Sequence, residues 1–232
     1  MTELNILLTT AVTIAFVHTL IGIDHYVPFV ALSRANSWTM KKTMLIVFVC
    51  GLGHVLSSVV LGCAGIALSA GVSLLVDIEG IRGEIASYFL IAFGLVYTVY
   101  GVRAAVKKKT HSHLTPDGHT ITHAHSANGE NHEHATKKPA NVFWGLFILF
   151  ILGPCEPLIP VLMYPAAMHN VFALVLVTVC FAIVTISTMA VMTFMGVKGV
   201  HLLKINALEQ YSHALAGFAV FVCGVSLLVL PI

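Results

Sequence analysis

Six side chains able to bind a transition metal or move a proton lie inside long apolar stretches: His18, Asp24, His25, His54, Cys155 and Glu156. A charged side chain at the centre of a bilayer costs about 2.5–3.5 kcal/mol on insertion scales, so groups of this kind inside a membrane span need a reason. His18 and His25 are seven residues apart, two helical turns, and share one helix face. Asp24 adjoins His25, and Pro28 follows, weakening the helical hydrogen bonding around it. His54 stands in Gly51-Leu52-Gly53-His54, where two glycines let another helix or an ion come close. The depths of His25 and His54 in their spans are similar, so the two imidazoles are expected to meet. His213 is shallower in its own span.

Two or three imidazoles with one or two carboxylates suit Ni2+, Co2+ or Zn2+. They do not suit Ca2+ or Mg2+, which take mostly oxygen ligands. A single membrane histidine is ordinarily an interhelical hydrogen bond; four ionisable groups at matching depths are harder to explain that way. Gly153-Pro154-Cys155-Glu156-Pro157 must break or kink its helix, exposing a thiol and a carboxyl at the break. Both are metal ligands, and a plain kink with a buried thiol is the competing reading. Cys50, Cys63, Cys180 and Cys223 read as small buried apolar residues with no CxxC pairing.

The elements that must position these groups are membrane helices. Charged residues make up 9% of the 232 and apolar ones 58%, with strongly positive mean hydropathy. An ordinary soluble domain carries roughly 25% charged residues. Six spans can be drawn, at 5–32, 43–72, 84–106, 141–168, 171–197 and 207–230, each near or above the roughly 20 residues a bilayer requires. The first contains His18, Asp24 and His25 and lacks a basic leader, so it reads as a mature span and not a signal peptide. The expected organisation is helices one to three at 1–106, a polar loop at 107–140, and helices four to six at 141–232. The loop carries His111, His113, His119, His123, His125, His132 and His134, a tract of the metal-capturing kind, and is expected to be disordered. Eleven of the twelve basic residues flank loops on one side; only Arg82 falls on the other, beside Asp77, Glu79 and Glu84. The positive-inside rule then puts the His-rich loop in the cytoplasm and both termini outside an inner or plasma membrane. Asp24 and Glu156 each stand four residues before a proline, Pro28 and Pro160. That hints at a 3+3 inverted repeat with broken helices in spans one and four.

The fold class is therefore an all-α, multi-pass membrane protein. The stretch from His18 through Ile21-Gly22-Ile23-Asp24-His25 resembles the histidine–aspartate–histidine signature of nickel/cobalt permeases. The segment Phe48 to His54, with Ser57-Ser58 beyond, is similar to their next-span signature. Gly-Ile-Asp-His and Gly-Pro-Cys-Glu-Pro resemble the NicO/UreH-like group, in a superfamily that also holds the transmembrane domains of disulfide reductases. That resemblance implies a transporter, not an enzyme, carrying Ni2+ or Co2+, with Zn2+ as a further candidate. The ion would pass through His18, Asp24, His25 and His54, and the break at Cys155 and Glu156 would provide a second ligand pair or a proton-coupled gate. It implies no prosthetic group and no nucleic-acid partner; the partners are the ion and the bilayer, with homo-oligomerisation left open. Two alternatives stand beside it. One is transmembrane thiol–disulfide electron transfer through the Gly-Pro-Cys-Glu-Pro cysteine, for which span one offers no second thiol. The other is export of a small solute or anion, which leaves the loop histidines without a role.

Overall fold

The computed structural model describes residues 2–68, 71–107, 112–114, 120–122, 140–202 and 210–229. Among them the chain is nearly all helical: α1 (Thr2–Ile21), α2 (Val27–Ala35), α3 (Met40–Ala67), α4 (Val72–Lys107), α5 (Ala140–Leu152), α6 (Leu158–Ala167), α7 (Val171–Leu202) and α8 (Ser212–Val229). Five are long and apolar enough to cross a membrane: α1, α3, α4, α7 and α8. Phe48, Val60, Phe172 and Ile183 point outward from them, as a lipid-facing surface requires. The chain is a multi-pass membrane protein.

The helix boundaries follow local chemistry. Thr39 caps α3, its hydroxyl accepting from the Lys42 amide at 3.3 Å. Asn170 does the same for α7, its side-chain oxygen accepting from the Ala173 amide at 3.0 Å. Pro28 sits in the first turn of α2, where a missing N–H costs nothing. Between α1 and α2 the chain makes a short 3-10 turn, Ile23–His25. Between α5 and α6 it runs irregularly through Gly153 to Pro157.

The structure corrects several boundaries. The third expected span began at residue 84; α4 begins at Val72 and runs 36 residues. Glu79 and Arg82, expected in an outer loop, are therefore helical residues packed inside the protein. The expected span 141–168 is two short helices, α5 and α6, neither long enough alone to cross a bilayer. Inside the segment expected to be disordered, β1 (Ser112–Leu114) pairs antiparallel with β2 (Thr120–Thr122), with Ser112 opposite Thr122.

Two apolar clusters hold the bundle. One gathers Phe29 and Leu32 of α2, Val47 and Cys50 of α3, Leu146 and Phe150 of α5, Met189 of α7 and Val220 of α8. The other lies around Cys155, with Ala15, Val55, Leu158, Leu162 and Phe181. Because lipid tails are as apolar as leucine, these contacts stabilise through close packing more than through removal from water. The closest packing is between α4 and α8. A Cβ placed at Gly94, Gly101 or Gly217 would meet the backbone of Phe221, Ala214 or Thr98 respectively. Only glycine lets these two backbones touch.

Candidate functional site

His25 owes its position to the break after α1. Its amide donates to the Gly22 carbonyl, folding the chain back on itself. A Cβ at residue 22 would lie 2.5 Å from the His25 Nδ1, so Gly22 is what lets the ring sit there. The ring Nδ1 lies 3.2 Å from the Gly22 carbonyl and 3.3 Å from Asp24 Oδ1. The carbonyl oxygen only accepts, and so do the oxygens of an ionised Asp24, so Nδ1 carries a hydrogen. His54, one turn beyond Cys50 on α3, is fixed in the same manner. Its Nδ1 donates across 3.2 Å to the carbonyl of Phe150, in the last turn of α5.

The three span histidines form a row. The rings of His18 and His25 are 5.0 Å apart and those of His25 and His54 are 5.1 Å apart, each pair edge to face. His25 and His54 are each 2% exposed, and the Nε2 atoms of all three are buried without a hydrogen-bond partner. Cys155, fully buried, completes the group: one ligand atom each from His18, His54 and Cys155 lie within 4.8 Å of one another. Asp24 is held by His25. Glu156 lines, with His18, Asp24, His25, Glu84 and Ser87, a neighbouring cavity of about 240 Å³, but is not in the close group. Of the six residues singled out in the spans, four therefore lie together and two border them.

A second constellation went unseen in the sequence. Glu79 is fully buried in α4 and accepts from Arg82 Nη1 at 2.6 Å. Arg82 Nη2 donates to Ser57 Oγ at 2.8 Å and to the Ile151 carbonyl at 2.7 Å. Longer contacts reach Ser58 Oγ and the Gly153 carbonyl. The other carboxylate oxygen of Glu79 accepts from the Cys155 amide at 3.3 Å. The last carbonyls of a helix lack donors of the next turn; here the Leu149 carbonyl takes the Gly153 amide, the Phe150 carbonyl takes His54 Nδ1, and the Ile151 carbonyl takes the guanidinium. The pair thus closes both sides of the break that carries Cys155. The sequence signal is an acid and a base three residues apart on one helix face.

Of the loop histidines, His113 belongs to β1, and His111, His119, His123, His125, His132 and His134 lie outside the described residues. His213 on α8 bonds through Nδ1 with the Tyr97 hydroxyl at 2.9 Å, in a separate polar group that includes Asn36.

A family model described as the cytochrome C biogenesis protein transmembrane region matches residues 27–226. The chain belongs to that family. The match runs from α2 to α8 and through the Cys155 break. No curated protein and no solved structure matches the chain. Membership in the cytochrome c biogenesis family overturns the nickel/cobalt permease resemblance, and with it the expectation of Ni2+, Co2+ or Zn2+ transport. The physical reason is simple. A few histidines and an aspartate at helical spacing can arise in any span that needs a buried polar group, whereas a match over most of the chain reflects the whole arrangement of spans. The match favours thiol–disulfide chemistry, the alternative carried by Gly-Pro-Cys-Glu-Pro.

Proposed function

We propose that the chain performs thiol–disulfide exchange within the membrane, with Cys155 as the reacting group. The observation that carries this is the family match over residues 27–226, joined to a thiol held at a helix break within 4.8 Å of two imidazoles. The attacking species in such exchange is a thiolate. Cys155 passes its proton to a neighbouring imidazole Nε2. The thiolate attacks one sulfur of a partner's disulfide; that S–S bond breaks, a mixed disulfide forms, and the leaving thiolate takes the proton. A thiol of a second partner attacks Cys155 Sγ and releases the first partner fully reduced. The second partner's remaining thiol then closes its own disulfide and returns Cys155 to the thiol. Two electrons pass from one dithiol to the other disulfide. The cycle takes its resolving thiol from the partner; Cys50, the other fully buried cysteine in a core cluster, lies in a different cluster from Cys155. Pro154 and Glu156, the neighbours of Cys155, both line the cavity through which a partner's sulfur would approach. Attachment of haem to a CxxCH segment needs both thiols reduced, which is the service such a cycle renders to c-type cytochromes.

The same reading takes α5 and α6 as one interrupted pass, which gives six passes in two inverted halves. It sets the His-rich segment in the cytoplasm and both termini outside, on the distribution of Lys and Arg.

Acid quenching of intact cells followed by maleimide–polyethylene glycol labelling tests this. A mixed disulfide that depends on Cys155 and persists in Cys63→Ser is expected. A wild-type chain that forms no Cys155 adduct, even when partner dithiols are oxidised, removes the reading.

A further inference from the structure

The buried nitrogens at the site are left without work by the hydrogen-bond network. His54 and His25 each spend Nδ1–H on a carbonyl. The Nε2 atoms of His54 and His18 have no hydrogen-bond partner among the described residues. A buried acceptor without a partner is costly, so two beside a buried thiol call for a ligand. The carbonyl bonded to Nδ1 is also what orients an imidazole and raises its basicity in metal centres.

We propose that His18, His54 and Cys155 form a binding site for one thiophilic transition-metal ion, with Cu+ as the charge-matched occupant. The three donors come from α1, α3 and the break between α5 and α6, and lie within 4.8 Å of one another. Metal–nitrogen and metal–sulfur bonds of roughly 2.0 and 2.3 Å put donors about 3.5–3.8 Å apart, so closure by at most about 1 Å completes the site. A thiolate with two imidazoles is the soft set that selects Cu+ or Zn2+ over oxygen-preferring ions. Charge separates those two. The thiolate contributes one negative charge and the neutral imidazoles none, so a monovalent ion leaves a neutral site. A divalent ion leaves a net positive charge in the membrane interior, which is costly. Asp24, the nearest carboxylate in sequence to the histidine row, faces His25 Nδ1 at 3.3 Å; with that ring protonated the two form a neutral ion pair and leave the charge of the ion site unchanged. The cavity bordered by His18, Asp24 and Glu156 gives the ion a polar approach.

The inference shares Cys155 with the thiol reading and does not depend on it. An ion on Sγ uses the same lone pair that attacks a disulfide, so metal occupancy and exchange exclude one another. The bound ion is then a cap on the reactive thiol.

The test uses the purified full-length chain in nanodiscs, fully reduced and without any disulfide partner. Its failure is thereby separate from failure of the exchange reading. Cu+ is titrated against bicinchoninate, and Zn2+ against a chromophoric chelator. One Cu+ per chain is expected, with X-ray absorption showing one sulfur and two nitrogens. Cys155→Ser and His54→Ala should each weaken binding at least tenfold, while Cys63→Ser and Cys180→Ser leave it unchanged. If His54→Ala does not fold, His54→Gln keeps a donor to the Phe150 carbonyl and removes the aromatic nitrogen. Absence of stoichiometric binding, binding indifferent to Cys155→Ser, or a spectrum without sulfur overturns the site. Zn2+ held as tightly as Cu+ overturns the monovalent assignment.

Discussion

Replacing Arg82 by methionine keeps the length of the side chain and removes its charge and its donors. In the folded chain the guanidinium lies 2.6 Å from Glu79 Oε1, 2.8 Å from Ser57 Oγ and 2.7 Å from the Ile151 carbonyl. Glu79 is fully buried, so the substitution strands a carboxylate in the interior. Breaking a buried pair by deleting one partner costs about 3–5 kcal/mol. The Ile151 carbonyl loses its donor as well, a further loss that relaxation of the break partly recovers. For a domain of this size each kcal/mol moves the melting temperature by about 2–4 °C, so a loss of ~4 kcal/mol lowers it by roughly 8–16 °C. The Cys155 amide bonds to the same Glu79 carboxylate. Opening of the break should therefore also speed alkylation of Cys155 by N-ethylmaleimide. The assay is thermal unfolding in detergent alongside the labelling rate. Arg82→Met combined with Glu79→Gln should recover at least half of the lost stability, because the stranded charge accounts for most of the cost. A single mutant within about 2 °C of wild type, with Cys155 still protected, would show that the pair does not hold the break.

Three smaller perturbations follow from the same geometry. Ser57→Ala removes one hydrogen bond to a charged group, about 1.5–3 kcal/mol, and should lower the melting temperature by clearly less than Arg82→Met. Gly94→Leu forces a side chain onto the backbone of Phe221; size-exclusion chromatography should show aggregation or loss of the monodisperse peak, while Gly80→Leu, with open space at its Cβ, should not. Gly22→Ala drives a methyl group against the His25 ring, so His25 should react faster with diethyl pyrocarbonate, with melting little changed.

How much of this was legible in the sequence depended on range. The two helix breaks were, because Pro28 and the Gly153–Pro157 run act on their own segments. The meeting of His25 with His54 followed from depth counting along two spans. Glu79 and Arg82 were hidden because hydropathy falls between Asp77 and Glu84, where charges ordinarily mark a loop. Beyond each other, their hydrogen-bond partners are Ser57, the Ile151 carbonyl and the Cys155 amide, all distant along the chain. A 36-residue helix likewise exceeds what a bilayer alone would suggest. Chemistry was harder still. Imidazole and carboxylate at helical spacing indicate a polar site without indicating its reaction, and short motifs pointed to ion transport where the match over 27–226 points to thiols.

The glycine contact between α4 and α8 sets an order of events during synthesis. The α8 segment begins roughly a hundred residues after α4 ends. At 5–20 residues per second a ribosome needs roughly 5–20 s to make the intervening chain. Throughout that interval Gly94 and Gly101 leave a shallow trough on α4 whose matching surface does not yet exist. Lipid, a chaperone of the insertion machinery, or another membrane helix must fill it meanwhile. Docking of α8 is then a late locking step, and a ribosome stalled before residue 212 would release a bundle with an open seam.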